Sequence, residues 1–369
     1  MILPRRRAVL AALAAAGLAT TATAQSPETA AADPRIAADG TVTMDGVRVP
    51  LPALASPEGR DYLRHLILDK PFGTPVPDLA EERARQDQIM FDFLEPMRAR
   101  YAVAIEEQTI GGIVTDVVTP TAGIAPENED RVLINLHGGG FVTGARSASL
   151  VESVPLAALM RIKVVSVDYR MGPEHRFPAG SEDAAVVYRE LLKTYAPENI
   201  GIYGCSAGGL LAAQAVAWFK ANDLPDPGAL GVFCASFTGF FGGDSVALSG
   251  PLNGMLPPLD PPPGPRLAGG GGGGMVYLDT ARADDPLAYP QASPELLASF
   301  PPTLFITGTR SFEFGAALTS HNRLTQAGGT SSFHGWDGMF HGFIYNSELP
   351  EAREAYRIMA DFFDSNLGR

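Results

Sequence analysis

Apolar and polar residues alternate with two different periods along most of this chain. Short apolar runs predict buried strands, and apolar residues at helical spacing predict amphipathic helices between them. The predicted strands cover 109–118, 131–135, 163–168, 200–203, 230–235, 303–307 and 331–336, and the predicted helices cover 150–160, 182–194, 206–220, 316–327 and 348–366. This alternation predicts an α/β fold with a mostly parallel central sheet and helices on both faces.

The first hundred residues have a different pattern. Segment 1–24 has a basic start, a short apolar run and small residues before Gln25, which predicts a signal peptide for export to the periplasm or medium. Its Arg6-Arg7 pair is typical of a twin-arginine signal, and an uncleaved membrane anchor is the alternative. Segment 25–102 contains a loose leader followed by two helical patterns, over 57–68 and 80–101, and segment 103–369 contains the alternating pattern.

The alternation stops between residues 237 and 280. This segment contains PPLDPPPGP and six consecutive glycines. Proline lacks a backbone donor, and glycine loses the most conformational freedom on ordering. The segment therefore predicts an excursion over one end of the sheet, with a plain surface insertion as the alternative.

Charge and cysteine content exclude some classes of partner. The net charge is −13, and loss of segment 1–24 removes three arginines and no acid, which gives −16. Such an acidic surface repels phosphate backbones and argues against nucleic acid. The two cysteines, Cys205 and Cys234, lie in apolar contexts and are predicted to be buried free thiols. No run after residue 24 is long and apolar enough to predict a membrane span.

The stretch GCSAG at 204–208 carries the strongest chemical signal. It has the form G-x-S-x-G and lies between a predicted strand and a predicted helix. A serine on such a sharp turn has a strained backbone and crowded neighbours, and Gly204 and Gly208 relieve the crowding. We therefore predict Ser206 as a nucleophile at the carboxyl end of the sheet, where α/β folds bind ligands.

A second glycine-rich stretch, HGGGF at 137–141, directly follows the predicted strand 131–135. Uncovered backbone N–H groups are suited to stabilise the negative charge that develops on a carbonyl oxygen during acyl transfer. Gly138 and Gly139 are predicted to supply two such donors, and the N–H of Ala207 a third. The alternative, a phosphate-binding loop, lacks the G-K-[ST] that would follow it.

Four motifs occur in the order of the hormone-sensitive-lipase-like family of bacterial esterases. They are HGGGF at 137–141, DYRMGPEHRFPAG at 168–180, GCSAGG at 204–209 and GMFHGF at 338–343, and the resemblance covers about 85–369. It implies an α/β-hydrolase fold, an N-terminal helical cap, and hydrolysis of small-molecule carboxylic esters without metal or cofactor. It also implies a homodimer for some members. Cys205 stands where the family more often has Asp.

His341 is the predicted general base among six histidines. It follows the last predicted strand, as the chain order serine, acid, histidine requires, and it matches the family's HGF position. His137 is expected to support the oxyanion loop. The other four, His65, His175, His321 and His334, are expected to be structural or solvent-facing.

The predicted acid is the one part that does not match the family. The family's acid follows TGTR or its equivalent, and here that position is Ser311. Asp285, in a D-P-L string that resembles the family's acid motif, precedes the strand 303–307 and is rejected. Three accounts remain open. In the first, Glu313 reaches His341 because the segment is extended. In the second, Ser311 or a water that it holds accepts the hydrogen bond from Nδ1–H of His341. In the third, the protein is a catalytically weak relative that binds esters.

These features predict a serine carboxylesterase for short- to medium-chain acyl esters, with Glu313 as first candidate for the acid. The rival prediction is a non-catalytic ligand-binding or interaction protein on a hydrolase scaffold, which Ser311 favours and intact Ser206 and His341 oppose. Amidase or lactonase activity would use the same groups.

Overall fold

A computed structural model describes residues 48–69, 78–239, 243–248, 252 and 275–368. By its contacts the chain divides into two compact units, Met1–Pro50 and Leu51–Arg369. The second unit contains both N-terminal helices together with the whole α/β part. The predicted signal peptide, most of the leader and most of the proline- and glycine-rich excursion lie outside the described residues.

Eight strands form one mixed sheet within the described residues. They are β1 (Val103–Ile110), β2 (Ile113–Pro120), β3 (Val132–Leu136), β4 (Lys163–Val167), β5 (Ile200–Cys205), β6 (Ala229–Phe233), β7 (Thr303–Gly308) and β8 (Ser331–Trp336). Their order is β1-β2-β4-β3-β5-β6-β7-β8. β2 is antiparallel to both of its neighbours, and the strands from β4 to β8 are parallel to one another. The predicted mostly parallel sheet is confirmed.

Helices cover both faces of the sheet, as predicted. They are α1 (Pro57–Asp69), α2 (Leu79–Arg100), α3 (Ala148–Met160), α4 (Ala179–Leu191), α5 (Ala207–Ala221), α6 (Asp244–Leu248), α7 (Pro294–Leu297), α8 (Phe314–Gln326) and α9 (Pro350–Asn366). One apolar core contains residues of α4, α5 and α8, and a second contains residues of α1, α2, α3 and α9. β3 and β5 are buried throughout, because they lie between these two layers.

The predicted single strand over 109–118 is wrong. The chain forms a hairpin there, with Ile110 paired to Ile113 across a turn at Gly111 and Gly112. Both glycines have positive φ, 61° and 91°, which suits the tight turns that join antiparallel strands. Strand-like residues lie on both sides of this turn, so the apolar pattern alone did not show that the chain forms two strands there.

The shared direction of the strands places the candidate catalytic residues at one edge of the sheet. The loops that contain Gly138, Ser206, Glu313 and His341 follow β3, β5, β7 and β8 respectively. These strands are parallel, so the loops after them emerge at the same edge.

Candidate active site

Ser206 lies on a sharp turn between β5 and α5, as its motif predicts. Its φ and ψ are 57° and −127°, a conformation that L-residues rarely adopt. A Cβ on Gly208 would lie 1.8 Å from the carbonyl oxygen of Leu136, and one on Gly204 would lie 2.1 Å from the same oxygen. Only glycine fits at either position, so the crowding that the motif implies is present.

His341 contacts both the serine and a carboxylate. Its Nε2 lies 2.9 Å from Ser206 Oγ, and its Nδ1 lies 3.0 Å from Glu313 Oε2. The ring also packs on Phe312, with ring centroids 4.4 Å apart. A neutral imidazole with its proton on Nδ1 would donate to Glu313 and accept from the serine hydroxyl. This is the geometry that a nucleophile, base and orienting acid require.

Glu313 is fully buried and held by two hydroxyl groups besides His341. Thr307 Oγ1 donates to Oε1 over 2.8 Å, and Ser311 Oγ donates to Oε2. Burial acts to raise the pKa of Glu313, but the charge of His341 and the hydrogen bonds from His341 and Ser311 outweigh it. The pKa therefore lies below its usual value, and the carboxylate form is favoured.

The segment before Glu313 is folded into turns rather than extended. The N–H of Ser311 donates to Gly308 O over 2.9 Å, and the N–H of Phe314 donates to Ser311 O over 3.2 Å. Glu313 is thereby placed at the start of α8. The extended conformation considered for this segment is wrong, yet the glutamate still reaches the histidine. Ser311 contacts the carboxylate as a donor, which is not the acceptor role that the second account gave it.

The glycine-rich loop presents different donors from those predicted. The N–H of Gly138 donates to the buried carboxylate of Glu152 over 2.9 Å, so it is not available to a substrate oxygen. Gly139 and Gly140 instead line the cavity that contains Ser206 and His341. Among the described residues, the N–H groups of Gly139, Gly140 and Ala207 have no acceptor. Gly140 therefore replaces Gly138 in the candidate set.

Two carbonyl contacts fix the direction of these donors. His137 Nδ1 binds Gly138 O over 2.8 Å, and the N–H groups of Val142 and Thr143 both donate to Gly139 O over 3.0 Å. The C=O and N–H of a trans peptide point in opposite directions. Each bound carbonyl therefore directs the N–H of the following glycine away from the groups that bind that carbonyl.

The side chain of His137 supports this loop, as expected. Its ring stacks on Tyr169 with centroids 4.3 Å apart, and the Tyr169 hydroxyl donates to His137 O over 2.7 Å. Complete burial lowers the pKa of His137 to about 4, despite its bond to Gly138 O, so the ring stays neutral at physiological pH.

The remaining candidates either have other partners or are exposed. His65 pairs with Asp69 on α1, His321 contacts Ser331, and His175 and His334 are exposed. Asp285 accepts the N–H of Leu287 within its own turn, whereas Glu313 is the carboxylate bound to His341. Cys205 and Cys234 are buried free thiols, as predicted.

A cavity of about 470 Å³ opens beside Ser206 and His341. Helix α2 supplies much of one wall. Its cavity-lining side chains are polar toward the start of the helix and apolar further along it. The cavity residues of α1 and α2 are Tyr62, Glu82, Arg85, Gln86, Met90 and Phe93. Both N-terminal helices thus contribute residues to the wall of this cavity.

Two further properties of the described residues concern metal ions and membranes. Among the described residues, no group of three or more His, Cys, Asp or Glu side chains could hold a metal ion. In the same part of the chain, no helix has the length and apolar character needed to cross a bilayer.

Comparison with known proteins agrees with the fold and with the motifs. The sequence profile of the α/β-hydrolase fold family matches residues 133–345, and the chain belongs to that family. Within it, the chain is one of the hormone-sensitive-lipase-like esterases. A crystallised esterase from the bacterial hormone-sensitive lipase family has a TM-score of 0.71 and 25% identity, covering 85% of this chain and 99% of that one.

Two curated relatives point the same way. An acetyl-hydrolase from Streptomyces hygroscopicus is 29% identical over 284 residues, which span 74% of this chain and 91% of that protein. The versiconal hemiacetal acetate esterase of Emericella nidulans is 33% identical over 126 residues, and the match spans 42% of that protein.

Three residues that contact the site gave no separate signal in the sequence. Gly140 is part of HGGGF, but the motif does not show which of its N–H groups is occupied. Thr307 is the last residue of the predicted strand 303–307 and looks like an ordinary strand residue. Glu152 lies in the predicted helix 150–160 with apolar neighbours. Its charge among apolar residues was the one sequence feature that indicated a buried, hydrogen-bonded carboxylate.

Proposed function

We propose that this protein hydrolyses short- to medium-chain carboxylic esters through a covalent acyl-enzyme on Ser206. One observation carries the proposal: His341 bridges Ser206 Oγ and the Glu313 carboxylate, at 2.9 and 3.0 Å. Each distance is within the hydrogen-bond range that proton transfer to and from the histidine requires.

The first half of the proposed reaction forms the acyl-enzyme. Ser206 Oγ attacks the ester carbonyl while His341 Nε2 takes its proton. The carbonyl oxygen becomes an oxyanion that accepts from Gly139, Gly140 and Ala207. Glu313 accepts the hydrogen bond from the Nδ1–H of His341. It thereby stabilises the imidazolium and keeps the second ring proton on Nδ1. The intermediate then expels the alkoxide, which takes the proton from His341 Nε2.

The second half releases the acid. Water gives a proton to His341 Nε2 and attacks the acyl carbonyl, and a second oxyanion forms at the same N–H groups. Its collapse breaks the bond to Ser206 Oγ, which recovers its proton from His341. The groups return to their starting state, and the net change is one ester and one water converted to one acid and one alcohol.

Cavity size and lining support the substrate class. A volume of about 470 Å³ is at the lower end of the range for small-molecule sites, and Met90, Phe93 and Phe340 provide apolar walls. The names of the two curated relatives concern acetyl groups, which supports a short acyl chain. The described geometry does not favour the non-catalytic alternative, because His341 has a carboxylate partner despite the serine at position 311.

Rapid mixing with p-nitrophenyl butyrate tests this proposal. We expect a burst of p-nitrophenol that approaches one per chain, because p-nitrophenolate leaves readily and acylation of Ser206 should then be faster than release of the acid. The Ser206→Ala variant, which lacks the nucleophile, is the blank. Equal rates for the two proteins, with no burst from either, would exclude a serine acyl-enzyme.

Helix α2 is tied to the site by Arg83. Its Nε donates to Val142 O over 2.7 Å, its Nη2 donates to Gly172 O over 3.0 Å, and its guanidinium pairs with Glu174. Val142 belongs to the oxyanion loop and lines the cavity. Arg83 therefore joins the cap wall to the loop that carries the proposed donors.

We expect Arg83→Ala to raise KM for p-nitrophenyl butyrate about threefold to tenfold, because the α2 wall loses its direct bond to the loop. The value of kcat should change less, since Arg83 contacts none of the reacting groups. Steady-state kinetics on matched protein preparations would measure both. Arg64→Ala removes an exposed arginine on α1 whose ion pair within the described residues is with Asp61, and it is the control. A fall in kcat with constant KM would contradict this role.

A further inference from the structure

We propose that Glu152 is a positioning residue that holds the oxyanion loop, the serine turn and the histidine loop in register. Glu152 is 2% exposed and lies on α3, and it is not one of the groups used in the proposed reaction. The inference deepens the proposed function and rests on it.

Four donors from different segments meet at this carboxylate. Oε1 accepts the N–H of Gly138 over 2.9 Å and the hydroxyl of Tyr345 over 2.8 Å. Oε2 accepts Asn135 Nδ2 over 2.8 Å and the N–H of Cys205 over 3.2 Å. Each oxygen thus receives two hydrogen bonds.

Three of these donors belong to segments that carry reacting groups. Gly138 immediately precedes the proposed donor Gly139, and Cys205 immediately precedes the nucleophile Ser206. Tyr345 lies between β8 and α9, in the same connection as His341. Tyr345 also lines the substrate cavity. A shift of any one segment would stretch a bond to the same buried carboxylate, so Glu152 couples their positions. Displacement of a reacting group by about 1 Å can lower a rate about 10²-fold.

The surroundings of Glu152 act on its ionisation in opposite directions. Burial raises the pKa of Glu152 to about 7, while the bonds from Asn135, Gly138, Tyr345 and Cys205 act to lower it. The described residues give this carboxylate no cationic partner. A buried charge without an ion pair is costly unless hydrogen bonds satisfy it, and here two donors meet each oxygen.

The substitution Glu152→Gln isolates this effect because it keeps the shape. The Asn135 amide and the Tyr345 hydroxyl can turn to accept from the new NH₂ group, but a backbone N–H cannot. In either orientation of the glutamine, one backbone donor, Gly138 or Cys205, faces another donor. One of the two catalytic turns must therefore move.

We expect Glu152→Gln to lower kcat for p-nitrophenyl butyrate about tenfold to thirtyfold, with KM within about threefold of wild type. Burst amplitude counts the working sites, so kcat is expressed per active serine. The matched control is Asp183→Asn, which alters another buried carboxylate that accepts a backbone N–H, that of Arg170. The control is expected to unfold at a lower temperature but to keep its kcat per active site.

Two results would overturn the proposal. One is a kcat per active site for Glu152→Gln within twofold of wild type. The other is an equal fall in both variants, which would indicate a general effect of altering a buried carboxylate. If Glu152→Gln does not fold, Glu152→Asp keeps a two-oxygen acceptor but is one methylene shorter. That variant should lose kcat by about threefold or more, and an unchanged kcat would count against the proposal. Failure of the proposed function is recognised separately, because wild type would then show no burst and would be no faster than Ser206→Ala.

Discussion

The substitution Glu313→Gln is expected to lower kcat for p-nitrophenyl butyrate by about 10³- to 10⁴-fold. Glutamine fills the same space but carries no charge, so the imidazolium formed during serine attack loses its partner. It can also present its NH₂ group to Nδ1, which favours the wrong tautomer of His341. The corresponding change in serine proteases costs about 10⁴-fold in kcat.

Folding should survive this change, because the neighbouring groups can adapt. Thr307 and Ser311 bind Glu313 through hydroxyl groups, which can rotate to accept from an amide. Thermal unfolding and burst amplitude would confirm that the variant is folded, and Asp183→Asn again serves as the control. A kcat within tenfold of wild type would show that Glu313 is not the orienting acid.

The pH dependence of stability provides a second measurement on the same pair of proteins. The pKa of Glu313 lies below its usual value in the folded state. At a pH between the folded and the usual pKa, the native protein therefore binds fewer protons than the unfolded chain. The contribution of Glu313 to stability is then complete above the usual pKa and is lost as pH falls through the folded pKa. The difference in thermal midpoint between wild type and Glu313→Gln should therefore become smaller in acid.

The substitution Ser311→Asp is expected to lower kcat about 10²-fold at neutral pH, although it restores the family's usual acid. Ser311 Oγ already donates to Glu313 Oε2 inside a fully buried site. An aspartate there would remove that donor and place a second carboxylate against the first. Two neighbouring buried carboxylates cannot both ionise easily, so one pKa rises and the pair holds a proton.

The exchange variant, Ser311→Asp combined with Glu313→Ser, provides the control for this prediction. It returns the site to one carboxylate at the family's position and should be more active than Ser311→Asp alone. Steady-state kinetics with active-site titration would compare the variants. A rise of several orders of magnitude in Ser311→Asp itself would mean that Glu313 does not act as an efficient acid in the present chain.

The sequence predicted the class of fold and most of its elements, because apolar periodicity reports which faces are buried. It located Ser206 and His341 through motifs whose spacing has local steric causes. It also placed Glu313 first among the candidates for the acid, since glutamate is longer than aspartate. What it could not provide was the path of the chain between Gly308 and Glu313. That path depends on turns within the segment and on contacts with the His341 loop, such as the bond from the Arg310 N–H to Met339 O.

The oxyanion loop is a second feature that the sequence could not resolve. Three adjacent glycines reveal that backbone groups are uncovered, but the direction of each N–H depends on what binds the neighbouring peptides. Glu152 binds Gly138 from a helix that follows in sequence, and Val142 and Thr143 bind Gly139 from the loop itself. The choice between Gly138 and Gly140 was therefore a property of the tertiary structure.

The position of Glu313 at the start of α8 has a consequence for conformational entropy. A glutamate has one more rotatable bond than an aspartate, so its carboxylate has more freedom to lose before it can orient a histidine. Here that freedom is lost during folding, because the side chain is enclosed and its two oxygens are held by Thr307 and Ser311. Little further ordering is then required in each catalytic cycle. A longer acid at the start of a helix can in this way be as well prepared for reaction as a shorter acid on a loop.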